Sequence, residues 1–218
     1  MEIAPGTRLL FIGDSVTDCD RLRPVGEGSR AALGQGYVAE VDAALSPLHP
    51  TRPVHVINMG ISGNTVRDLA SRWDSDVLAL GPDWLSVMIG INDVWRQFDG
   101  IENAAAVMPD EFRRTLGSLI ARTLPRIKRL VLMTPYYVQA LRIDPMRRRM
   151  DEYGAIARDL AAANGAVLVD TQAAIDRALA ESDYKSIAVD RVHPTQAGHE
   201  VIARAFLRAI GVSPSSRR

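Results

Sequence analysis

The amino-acid sequence predicts an α/β chain, a doubly wound parallel sheet of about five strands. Two observations carry that expectation. Short, continuously apolar and β-branched runs recur along the chain, as expected of strands covered on both faces. Segments of helical spacing separate them, and repeated strand–helix units cross over right-handed into one parallel sheet. With 218 residues and no linker, internal repeat or low-complexity tract, the whole of 1–218 reads as one domain.

The first strand is "RLLFIG" at 8–13, followed by a helical segment at 37–45. The second, "PVHVIN" at 53–58, is followed by helical spacing through 65–80. The third, "DWLSVMIG" at 83–90, leads to a helix over 109–124, which begins at a proline. The fourth, "RLVLMT" at 129–134, precedes a long helical pattern over 144–163, with Asp144 as N-cap and Pro145 as first helical residue. The last, "AVLVD" at 166–170, gives way to helices over 171–180 and 195–211, the latter closing on Gly211. The "SPSSRR" tail is expected to fray.

Charge narrows the function classes. Cationic and anionic residues balance at 26 each, so no net field favours nucleic acid or an anionic membrane. Only Lys128 and Lys185 are lysines, and the densest basic run, "MRRRM" at 146–150, reads as the wet face of a helix. The single cysteine, Cys19, excludes an internal disulfide and any cysteine-built zinc site. No run approaches the ~18 apolar residues of a membrane span, and the N-terminus lacks a signal-peptide pattern. A soluble, cytoplasmic protein is expected.

In doubly wound folds ligands bind at the carboxyl ends of the strands. The stretch "IGDSVTDCD" at 12–20 ends the first strand there and admits three readings: a plain turn, Ser15 as a nucleophile, or Asp14, Asp18 and Asp20 as a magnesium site. Valine at position 16 and the lack of a strand directly before Asp18 weaken the metal reading, so no metal or other cofactor is expected. Cys19 is close to Ser15, but no following helix pattern lowers its thiol pKa. The remaining strand ends carry Gly60 in "INMGISGNT" and Asn92 in "MIGIND", while Asp190 and His193 come late in "VDRVHPT".

Together these residues assemble acyl-transfer chemistry. A serine hydroxyl needs a base to take its proton, and an imidazole serves at neutral pH. A carboxylate on the other ring nitrogen fixes the tautomer, which Asp190 can supply from three residues before His193. The oxyanion needs preorganised donors, for which the Ser15 and Gly60 backbone N–H groups and the Asn92 amide are candidates. His199, His49 and His55 read as structural or surface histidines. The glycine-rich "GEGSRAALGQG" at 26–36 follows no strand in the nucleotide-binding pattern and reads as a mobile loop beside the site.

These blocks resemble the SGNH, or GDSL-type, hydrolases, whose name spells serine, glycine, asparagine and histidine; they occur in the family's order across positions 13–194, with Val16 where the family name has leucine. The resemblance implies a flavodoxin-like three-layer α/β/α sandwich and metal-free acyl-ester hydrolysis. "GDSVTDC", "GISGNTVRDL", "MIGINDVWRQ", "DPMRRRMD" and "DRVHPTQAGH" look further like the bacterial acetylxylan esterases of this superfamily. That likeness implies a cytosolic enzyme, an acetylated oligosaccharide as small-molecule partner, and a possible homo-oligomer. Trp95, Tyr136 and Tyr137 then become candidate substrate contacts, because aromatic faces at the active edge can stack on a sugar or simply pack; Asp14 joins them. Trp84 and Trp73 read as core. The rival readings are a lipolytic carboxylesterase, thioesterase or lysophospholipase on the same scaffold, and a carbohydrate-binding module on an inactive one.

Overall fold

The computed structural model describes residues 3–100 and 106–212, so the expectation for the "SPSSRR" tail lies outside the described residues. Five parallel strands, β1 (Arg8–Gly13), β2 (His55–Asn58), β3 (Trp84–Met88), β4 (Arg129–Met133) and β5 (Val167–Val169), pair in the order β2-β1-β3-β4-β5. The helices are α1 (Ser15–Asp18), α2 (Tyr37–Leu45), α3 (Val66–Trp73), α4 (Ile91–Trp95), α5 (Pro109–Thr123), α6 (Pro145–Ala163), α7 (Thr171–Leu179), α8 (Tyr184–Ile187) and α9 (Gln196–Ala209).

Side chains alternate across a strand, and β1 shows why both of its faces must be apolar. Leu9 and Phe11 enter one core with Tyr37 and Val41 of α2 and Ile202 and Phe206 of α9. Leu10 and Ile12 enter the other, with Leu69 and Trp73 of α3, Phe112 and Leu116 of α5, and Tyr153 of α6. The sandwich therefore has three layers, and each large side chain so buried contributes roughly 1.5–3 kcal/mol. Trp73 is fully buried and still satisfies its indole, which donates to Thr123 Oγ1 at 2.9 Å. Trp84 is core as well.

The strand order reverses direction between β1 and β3, which pair from Leu9↔Trp84 to Gly13↔Met88. The carboxyl ends of these two strands flank the crevice where such folds bind ligands. No helix among the described residues is long and apolar enough to cross a membrane.

The structure departs from the sequence reading in three places. The helix expected over 65–80 stops at Trp73 and continues as one wider π turn, Asp74–Leu78, closed by the Ala79 N–H on the Asp74 carbonyl at 2.8 Å. The basic run is not uniformly wet: Arg147 is buried, paired with Asp151 and Asp176. The glycine-rich segment is pinned, since Gly26 bridges Asn58, the Leu22 N–H donates to the Ala32 carbonyl, and the Gln35 N–H donates to the Cys19 carbonyl.

Candidate active site

Ser15 owes its position to a strand, a turn and one helical turn in succession. Gly13 ends β1 so close to its surroundings that a Cβ there would stand 2.3 Å from the Met88 carbonyl oxygen and 2.5 Å from Thr17 Oγ1. Asp14 then caps α1, its Oδ1 accepting the Val16 N–H at 3.0 Å. Ser15 is the first residue of α1, where a backbone N–H has no partner within the helix.

The relay closes across the whole chain. Ser15 Oγ lies 3.0 Å from His193 Nε2, and His193 Nδ1 lies 2.6 Å from Asp190 Oδ2. The other carboxylate oxygen of Asp190 accepts the Val192 N–H at 3.0 Å and the His193 N–H at 2.8 Å. Partial burial pushes the Asp190 carboxyl upward, but the His193 side chain and these N–H donors outweigh it and hold the group below its ordinary value. An ionised Asp190 takes the proton of Nδ1 as its hydrogen bond, which leaves Nε2 to accept from the serine hydroxyl.

Ser15 and His193 open onto a cleft of about 470 Å³, whose lining includes Gly63, Asn92 and Trp95. Asn92 donates one amide hydrogen to the Asn64 carbonyl at 2.9 Å. An amide has two, so a second donor remains at the cleft. Trp95 follows at the end of α4 and is 38% exposed, presenting aromatic surface to the same space.

Gly60 does not face this cleft. Its N–H donates to Asn58 Oδ1 at 2.9 Å, and its carbonyl accepts from Arg21 Nε at 2.7 Å. A Cβ there would stand 2.2 Å from the Asp18 nitrogen, so glycine is needed for close approach to α1. The glycine at the cleft is Gly63, at φ +82° with open space beside it. Sequence reasoning missed it, although it stands in the same "GISGNT" stretch, three residues on. Also missed was Asn58, whose buried amide donates to the Thr17 and Leu33 carbonyls at 2.6 and 2.8 Å.

Other candidates take different places. Asp14 and Tyr136, expected as substrate contacts, are not among the residues that line the cleft: both are buried, and the Tyr136 hydroxyl donates to the Val192 carbonyl at 2.9 Å. Burial lifts the Asp14 carboxyl to about 7, against the Val16 N–H and nearby His193. Tyr137 is half-buried, and its backbone N–H donates to Gln172 Oε1 at 2.8 Å. Asp18 Oδ2 accepts from Arg23 at 2.7 Å and from the Ser62 N–H and hydroxyl, each at 2.9 Å, whereas Asp20 lines the cleft.

Cys19 lines the cleft too, with Sγ 3.2 Å from His199 Nε2, while His199 Nδ1 accepts the Tyr37 N–H at 3.1 Å. Burial, then the Asp20 and Asp18 charges, push the thiol up to about 11, and burial pushes His199 down to about 4. At neutral pH this is an uncharged pair, and the thiol is no nucleophile. His55 pairs with Glu27 at 2.7 Å, and His49 Nε2 lies 3.0 Å from the Ile3 carbonyl.

Comparison with known proteins agrees with this geometry. Residues 11–201 match the model of the GDSL-like lipase/acylhydrolase family. An acetylxylan esterase of Geobacillus stearothermophilus is 52% identical over 212 residues, 97% of each chain. A crystal structure of an acetylxylan esterase from that organism superposes with a TM-score of 0.96 at 51% identity over all of both chains, and its solved catalytic mutants include alanine substitutions of a serine, a histidine and an aspartate. An alpha/beta hydrolase from the metagenome of Lake Arreo, Spain, superposes at 0.93 with 49% identity over 96% of this chain and 97% of that one. With its serine, histidine and aspartate joined at the carboxyl edge of the sheet, this chain belongs to the GDSL-like lipase/acylhydrolase family.

Proposed function

We propose that the chain is a serine esterase that removes acetyl groups from acetylated xylo-oligosaccharides. The observation that carries the reading is the Asp190–His193–Ser15 relay, with links of 2.6 and 3.0 Å, opening beside Trp95 onto a cleft of sugar-accommodating size, about 470 Å³. The relatives named acetylxylan esterase supply the substrate class.

Ser15 Oγ attacks the ester carbonyl as His193 Nε2 takes its proton. The carbonyl oxygen becomes an oxyanion, facing the Ser15 N–H, the Gly63 N–H and the second amide hydrogen of Asn92. Donors set in place before reaction stabilise this charge without reorganising, and losing one costs roughly a hundredfold or more in rate. The tetrahedral intermediate collapses when His193 passes its proton to the departing sugar hydroxyl, leaving acetyl-Ser15. A water molecule, deprotonated by His193, then attacks that ester; acetate leaves and Ser15 recovers its proton. Asp190 stays ionised and steadies the imidazolium in both halves. The indole of Trp95 is placed to stack on the sugar ring that carries the ester.

Acetate release from acetylated xylo-oligosaccharides, wild type against Ser15→Ala, tests this, with p-nitrophenyl esters of increasing chain length beside it. Efficient release by the wild type alone, falling sharply beyond propionyl, is the expected result. Rates rising toward octanoyl would replace the reading with a lipolytic esterase, and an active Ser15→Ala would overturn the mechanism.

A further inference from the structure

The histidine end of the relay has little burial of its own. The Asp190 and His193 side chains are 50% and 59% exposed, and the loop that carries them lies between α8 and α9, outside the sheet. Tertiary contacts must therefore keep Nε2 at 3.0 Å from the Ser15 hydroxyl.

Arg191, directly after Asp190, stands at φ +68°, a left-handed conformation that glycine adopts freely and a side chain opposes. The kink folds the loop back so that one Asp190 oxygen caps the Val192 and His193 N–H groups while the other holds Nδ1. The Arg191 backbone N–H donates to the Ala188 carbonyl at 3.1 Å within the loop, and three further contacts tie Arg191 to the rest of the molecule. Its carbonyl accepts the Val138 N–H at 2.9 Å, and its Nη1 donates to the carbonyl of the same Val138 at 3.0 Å. Its guanidinium carbon lies 3.8 Å from the centre of the Tyr184 ring, a cation–π contact.

Val138 is in turn fixed from the core side. It is fully buried, and its segment is bracketed by Gln172, which accepts the Tyr137 N–H at 2.8 Å and donates to the Tyr137 carbonyl at 3.2 Å. Buried Arg147 donates to the Gln139 carbonyl at 2.6 Å while it grips both oxygens of Asp176 at 2.8 and 2.7 Å. An unbroken line of polar contacts thus runs from α6 and α7 to the catalytic loop, with Arg191 as its last link.

We propose that Arg191 is a positioning residue of the triad: by clamping the kinked loop to Val138 and Tyr184 it holds Asp190 and His193 in line with Ser15, without touching the reacting atoms. The assignment rests on the esterase reading, because turnover through the triad is its readout.

The test is hydrolysis of p-nitrophenyl acetate by Arg191→Ala and Arg191→Lys, each alone and combined with Asp190→Asn. Arg191→Ala should lower kcat roughly tenfold or more with KM within about twofold, and Arg191→Lys, which keeps a cation over Tyr184, should recover much of the loss. In the Asp190→Asn background the effect of Arg191→Ala should shrink severalfold, since the carboxylate that Arg191 holds against His193 is already disabled while His193 itself remains. An undiminished loss in that background, or a wild-type kcat in Arg191→Ala, overturns the proposal. Tyr184→Ala, read in the same cycle, keeps the test open if Arg191→Ala does not fold. A wild-type rate for Asp190→Asn by itself would instead overturn the triad reading.

Discussion

Ser15 and His193 meet at 3.0 Å, yet they reach that point in opposite ways. The serine end is packed from within: β1 is buried, Gly13 lies against the Met88 carbonyl, Asp14 caps the turn, and Asn58 and Gly60 close on the back of α1. The histidine end is an exposed loop whose geometry is borrowed, through Arg191 and Val138, from a segment 53 residues away in sequence. The nucleophile is held by burial, with strand and loop backbone packed against it from several sides, whereas the base stands on an exposed loop and depends on the few contacts that tie that loop to the body.

Two substitutions probe that contrast, the larger effect first. In Gly60→Ala the new Cβ would meet backbone, 2.2 Å from the Asp18 nitrogen and 2.6 Å from the Thr17 carbonyl carbon, so no side chain can swing aside. We expect a loss of about 3 kcal/mol or more in denaturant unfolding, at the upper end of overpacking, with activity falling alongside. Wild-type stability would break the claim that close packing holds the serine end.

His199 sharpens the comparison from the seam between the two regions, since it sits on α9, after the catalytic loop, and touches Cys19 at the end of α1. Its folded pKa is lowered from 6.5 to about 4, so the native state holds it neutral where the unfolded chain would bind a proton. The stability it contributes is complete above pH 6.5 and is lost as pH falls toward 4. The gap between wild type and His199→Gln should therefore narrow by on the order of 2 kcal/mol over that window. Taking the difference cancels Asp14, whose raised pKa works in the opposite direction. A gap that does not change with pH would remove His199 from the account.

What was legible in the sequence divides by the range of the pairing instead. Ser15 and Asn92 stood out because apolar runs mark where β1 and β3 end, and the α/β alternation announced the sheet. His193 with Asp190 was legible because their coupling spans only three residues. The place of Gly63 at the cleft was not, because what turns Gly60 away is the Asn58 side-chain oxygen, which accepts the Gly60 N–H. Tyr136 was open to either stacking or packing because the Val192 carbonyl that takes its hydroxyl is 56 residues away, and Arg147 looked solvated because its partner Asp176 is 29 residues away. Pairings of that range are properties of the fold, and no local pattern records them.

The central claim, that Ser15 carries the acyl group, is tested most directly by acid-quenching the enzyme during turnover of p-nitrophenyl acetate and locating the adduct by peptide mass spectrometry. The account predicts one acetyl group on the peptide containing Ser15, assigned to that residue by fragmentation and absent from Ser15→Ala. Acetyl on Cys19 with Ser15 unmodified, or turnover by Ser15→Ala at the wild-type rate, would contradict it.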